Sequence, residues 1–110
     1  YQAGDAGRRW AGDVVDCVAE GWPAPSAAAV ELLWNRGVRL IGTDGVSIGA
    51  AHDLDSAHFA ALSRGMVVIE ALANLSELPP VGAHFVFLPI KLVGGSGGLG
   101  RAVALVGDEN

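Results

Sequence analysis

Twice in this chain a helix-forming run is closed by a glycine and followed at once by an apolar run, and that succession limits the fold more than anything else in the sequence. In "PSAAAVELLWNRG" Ser26 is placed to cap, good helix formers continue through Leu33, and Gly37 stands just past the end as a stop. "VRLIGTD" comes next and runs into the turn-like "DGVSIGAAHD", which reads as a short strand with Asp44 at its tip and a loop beyond. "LDSAHFAALSRG" follows the same plan, with Asp55 or Ser56 as the cap and Gly65 as the stop of a helix of about two turns. "MVVIEAL" then reads as a buried strand, brought back antiparallel beside that helix by the Gly65 turn.

Further on, "NLSELPP" predicts a helical turn closed by two prolines, and "AHFVFLPI" and "RAVALV" predict two more strands joined by "KLVGGSGGLG". The expected order is helix, strand, helix, strand, strand, strand. Two helix-to-strand units call for a sheet with helices packed on it, so the fold class is α/β. The opening is rich in Gly, Asp and Pro with one short apolar segment around Val14 to Val18, so residues 1–25 are expected to be a largely irregular lead-in. Trp10, Trp22 and Trp34 are evenly spaced, but their flanks differ and no internal repeat is read from them. At 110 residues, 51% of them hydrophobic, the chain suffices for one core and is too short for two, so 1–110 is expected to be a single domain.

The net charge of -5 gives no electrostatic reason to approach phosphate backbones, and nucleic acid is not expected as a partner. Gly, Arg, Asp and Pro interrupt every apolar run before it reaches the ~20 residues of a membrane span. The expectation is a soluble, cytoplasmic protein with no membrane partner. Cys17 is the single cysteine, which rules out an internal disulfide and a cysteine-based zinc site; it reads as a small buried hydrophobe. The chain begins at Tyr1 with neither an initiating Met nor a basic-then-apolar leader, which suggests that residues precede it.

Glu70 is the residue that asks for an explanation. It alternates with Met66, Val68 and Leu72 in a run apolar on both faces, where an ionised carboxylate costs several kcal/mol unless it is paired, bound to a cation or protonated. His58 shares a helix face with Leu54 and Leu62, the face expected to press onto the sheet, so both groups can converge on one cavity. Imidazole and carboxylate are common ligands of zinc or manganese. Two readings stay open on these residues. One is a metal pair; the other is a histidine satisfied by a backbone carbonyl and a glutamate paired with Arg64 or Lys91.

The literal G-x-G-x-x-G at Gly95 to Gly100 raises nucleotide binding, but it is followed by the strand-like "RAVALV" rather than a helix, and a hairpin connection is the better reading. His52 and His84 read as residues of a polar loop and a strand end. Asp44 reads either as an Asx-type turn or as a residue orienting a group near the strand tip.

"RGVRLIGTDGVSI", "HFAALSRGMVVIEALANLSELP" and "FVFLPIKLVGGSGGLGRAVAL", in that order, resemble the C-terminal half of the cyclase family of metal-dependent hydrolases, kynurenine formamidase and isatin hydrolase among them. The resemblance runs from roughly Gly37 to Val106 and lies in the succession of blocks. It implies that His58 and Glu70 are ligands of a divalent metal, zinc or manganese, and that a cation is what makes Glu70 tolerable in its apolar run. It implies a swivelling β/β/α fold, present here as a partial copy, and assembly into a homo-oligomer. The chemistry it implies is hydrolysis of a small-molecule amide or lactam by water activated on the metal. The family's N-terminal motif H-x-G-T-H-x-D-x-P-x-H, which carries its other ligands and its acid/base histidine, does not occur in this chain. The resemblance therefore gives the chain half of an active site and no catalytic acid or base of its own. A diverged relative that keeps the fold and an assembly surface without metal chemistry is the alternative.

Overall fold

The computed structural model describes residues 23–107, which divide into two compact units between Leu75 and Ser76. The irregular lead-in expected over 1–25 lies outside the described residues except for Pro23–Pro25, which have no regular structure; Cys17, Trp10 and Trp22 lie outside them as well.

The first unit runs α1 (Ala27–Asn35), β1 (Leu40–Gly42), α2 (Asp55–Leu62), β2 (Val67–Ile69). The Ser26 hydroxyl accepts the Ala29 N–H at 3.2 Å and so satisfies one of the orphan donors at the start of α1. Both helices end in the same hydrogen-bonded motif. After α1, Gly37 takes φ 88° while its N–H reaches Trp34 O and the Val38 N–H reaches Leu33 O; after α2, Gly65 takes φ 75° while its N–H reaches Leu62 O and the Met66 N–H reaches Ala61 O. Only glycine enters that left-handed region without steric cost, so each stop turns the chain sharply into the strand that follows.

β1 and β2 pair in parallel, Leu40 with Val67, Ile41 with Val68 and Gly42 with Ile69. Parallel neighbours cannot be joined by a tight hairpin, and α2 is the crossover between them. Val30, Ile41, Ile48, Ala57, Ala60, Ala61 and Met66 form the core, with Leu33, Trp34, Val38 and Val68 packed against it.

Two local expectations are corrected. The face of α2 turned inward is Ala57, Ala60 and Ala61, while Leu54 and Leu62 are 47% and 56% exposed. A stripe of methyl groups lets the helix backbone approach its neighbours closely, and His58 is left at the border of the buried face. Neither Asp55 nor Ser56 caps α2; the Asp53 carboxylate does, accepting the Ser56 N–H at 3.1 Å.

A 3-10 turn over Leu75–Glu77, in the place expected for a helical turn, lies at the sequence boundary of the two units. The second unit is a hairpin of β3 (His84–Pro89) and β4 (Gly100–Leu105), antiparallel from His84 opposite Leu105 to Pro89 opposite Gly100. Of the glycine-rich motif, Gly95, Gly97 and Gly98 lie in the connection between these strands and Gly100 opens β4, as the strand-like sequence after it predicts. The Leu99 carbonyl accepts the Ile90 N–H at 2.8 Å and closes the connection at its base. Among the described residues none after Ile69 is buried, and no helix is long and apolar enough to cross a membrane. Among the described residues two helices, a two-stranded parallel sheet and a two-stranded antiparallel sheet make a small mixed α/β structure.

Candidate functional site

In parallel sheets the carboxyl ends of the strands, where loops leave for the crossover, are where ligand-facing groups collect. Thr43 follows β1 directly and is fully buried. Its N–H donates to Ile69 O at 2.9 Å and its carbonyl accepts the Leu72 N–H at 3.0 Å, while Gly45 O accepts the Ala71 N–H at 2.7 Å. The chain leaving β1 is thereby tied to the chain leaving β2, which fixes where Glu70 emerges.

Glu70 stands one residue beyond β2 and meets His58 of α2, with Nε2 and Oε1 3.0 Å apart. Each member is also held from behind. His58 Nδ1 lies 2.7 Å from Leu54 O, and the Ile48 N–H donates to Glu70 Oε1 at 3.0 Å. A carbonyl oxygen only accepts, so Nδ1 carries the proton in that contact and Nε2 is the nitrogen turned to the carboxylate.

The loop from Thr43 to Leu54 supplies both supports and is held by its own short-range bonds. Thr43 Oγ1 accepts the Gly45 N–H at 3.0 Å, Ser47 Oγ accepts the Gly49 N–H at 2.9 Å, and the Asp53 N–H reaches Ala50 O at 3.0 Å. Hydrogen bonds from the Ser56 hydroxyl and N–H hold the Asp53 carboxyl below the usual carboxylate range.

The structure brings together His58 and Glu70, the two residues singled out in the sequence, but in a different setting. The expected apolar burial of Glu70 is corrected: the side chains of His58 and Glu70 are 30% and 33% exposed, because β2 ends at Ile69 and Glu70 leaves the sheet instead of continuing it. Arg64, one expected partner of Glu70, pairs with Glu31 at 2.8 Å and donates to Ala60 O; Lys91, the other, belongs to the second unit. Asp44 is buried at the tip of β1. Among the described residues no group of three or more His, Cys, Asp or Glu is gathered for a metal ion. His52 is exposed in a turn and His84 is exposed at the first position of β3, as read from the sequence. The supports missed in the sequence are main-chain groups, the Ile48 N–H and the Leu54 carbonyl, which no residue type announces.

A parallel βαβ unit with an imidazole and a carboxylate facing each other at its carboxyl edge is the class of site defined here. No family model matches the chain. Among curated proteins it is similar to a kynurenine formamidase of Erythrobacter litoralis (strain HTCC2594), 36% identical over 97 residues that make up 87% of this chain and 44% of the relative. A kynurenine formamidase of Salinibacter ruber is 39% identical over 75 residues, 67% of this chain and 35% of the relative. An isatin hydrolase of Roseibium aggregatum is 34% identical over 89 residues, 76% and 34% of the two chains. The chain thus spans less than half the length of each of these relatives.

Proposed function

We propose that the chain belongs to the cyclase family of metal-dependent hydrolases and contributes His58 and Glu70 to the divalent-metal site of an amide hydrolase of the kynurenine formamidase type. The observation that carries this reading is the 3.0 Å approach of Nε2 to Oε1, with each group backed by a main-chain partner. The similarity to curated kynurenine formamidases and an isatin hydrolase supports it.

The donors fit a zinc or manganese ion in kind. A neutral imidazole whose Nδ1–H is held by a carbonyl offers the lone pair of Nε2, and a carboxylate suits either metal. In number they are two, against the three protein ligands and water of a catalytic zinc, so further donors have to come from outside the described residues. When bound, such a cation supplies a Lewis acid and lowers the pKa of a coordinated water. The chain's own residues do the holding: Leu54 O fixes which nitrogen of His58 is free, and the Ile48 N–H steadies Glu70 Oε1. In this reading the substrate is a small amide or lactam such as N-formylkynurenine. The fold is part of a swivelling β/β/α arrangement, and the protein is a cytoplasmic homo-oligomer.

His58→Ala and Glu70→Ala in the protein expressed from its own gene test the reading. Each variant is expected to lose bound metal, measured by elemental analysis, together with formamide hydrolysis. Full metal content and turnover in both would exclude it. The pairing of only two donors among the described residues favours a second reading, a fold or assembly module without catalysis; tight stoichiometric binding of zinc by the chain would count against that.

A further inference from the structure

We propose that Gly49 is a positioning residue for the His58–Glu70 pair, acting through the two main-chain groups that hold it. Only its effect on a bound cation rests on the function proposed above. A Cβ at Gly49 would stand 2.8 Å from Leu54 Cα and 2.9 Å from the Leu54 carbonyl carbon, and would collide with the carbonyl oxygen. These are main-chain atoms and cannot rotate aside. The oxygen is the same one that accepts from His58 Nδ1.

On the other side of Gly49 is Ile48, whose N–H donates to Glu70 Oε1 and whose side chain is fully buried. Gly49 is not among the glycines with positive φ, so the requirement is for space and not for backbone freedom. The Gly49 N–H is itself held by Ser47 Oγ at 2.9 Å. One methyl-free position therefore lets the two limbs of the loop close on each other, the first limb holding the carboxylate and the second holding the imidazole. The Ile48 limb is pinned in the core, so an added methyl group displaces the Leu54 limb. His58 loses its support first and Glu70 second.

The test uses the full chain, labelled with 15N, as Gly49→Ala and Ser47→Ala, with zinc alone as the metal probe. In Gly49→Ala the Nδ1–H resonance of His58, held by Leu54 O in the unmodified chain, is expected to disappear while the Val30 amide keeps its protection, and zinc affinity is expected to fall roughly 10–100-fold, as when the hydrogen-bond partner of a ligating group is lost. Ser47→Ala, which frees the Gly49 N–H, is expected to move the same signals less, and it decides the matter if Gly49→Ala does not fold. Unchanged Nδ1–H resonances in the folded variants overturn the proposal, as does a uniform loss of protection that includes Val30. If the unmodified chain fails to bind zinc, the metal reading falls, while loss of the Nδ1–H signal in the variants still supports the positioning role.

Discussion

Ile48 and Leu105 are isomeric aliphatic side chains, yet Ile48 is fully buried in a loop and Leu105, in a regular strand, is 59% exposed. The contrast holds for the units that contain them. β3 and β4 carry Phe85, Val86, Phe87, Leu88, Val103 and Leu105, one large apolar side chain more than the five of β1 and β2, but none of these six residues is buried. Burial in the first unit comes from α1 packed on α2 and α2 packed on β2, with Ala57, Ala60 and Ala61 allowing α2 to approach. A two-stranded hairpin has no such cover within itself and is marginal as an isolated element. Strand-forming sequence and core-forming position are separate properties.

The sharpest test of that contrast is a pair of truncations read by denaturant midpoint. Ile48→Ala removes a fully buried side chain and is expected to cost about 2–5 kcal/mol. Leu105→Ala, at an exposed position, is expected to stay within roughly 0.5 kcal/mol. Equal losses at the two sites would erase the distinction between the units. A smaller effect is expected from Arg64→Ala, which removes the partly exposed pair with Glu31 and the bond to Ala60 O; about 0–1 kcal/mol is the range for such pairs, and a double-mutant cycle with Glu31→Ala measures it.

The smallest effect concerns acid. Because Asp53 is held below the usual carboxylate range, its contribution is fully present above the unfolded value of about 3.9 and is lost as pH falls through the lower folded value. Asp53→Asn keeps an acceptor at the start of α2 and removes the charge. The acid limb of a plot of Tm against pH is expected to flatten in this variant, and an unaltered limb would show that the cap does not titrate with folding.

Much of the local structure was legible. Ser26, Gly37 and Gly65 mark helix ends through side-chain capping and positive φ, which are properties of residue type, and the convergence of His58 with Glu70 follows from a helix turning back into a strand. What was not legible depends on surfaces that only tertiary packing creates. Leu54, just before α2, and Leu62, at its end, are larger apolar side chains than the alanines between them, yet the alanines are buried because their small size permits contact. Asp53 caps in place of Asp55 and Ser56 because the helix already includes both of them. Arg64 found Glu31, distant in sequence, on the neighbouring helix. The supports of the site are peptide groups, common to every residue, so no side-chain pattern could disclose them.

Loops are ordinarily where a chain accepts insertions most readily. The segment from Thr43 to Leu54 does not fit that expectation, since one of its peptide groups grips each member of the His58–Glu70 pair and Thr43 is stitched to the far strand. The connection between β3 and β4, exposed from Ile90 to Leu99, is the contrasting case. An epitope tag, a new pair of termini or a fluorescent reporter belongs in the hairpin connection; the same graft beyond β1 would change the spacing of the two side chains it was meant to leave alone.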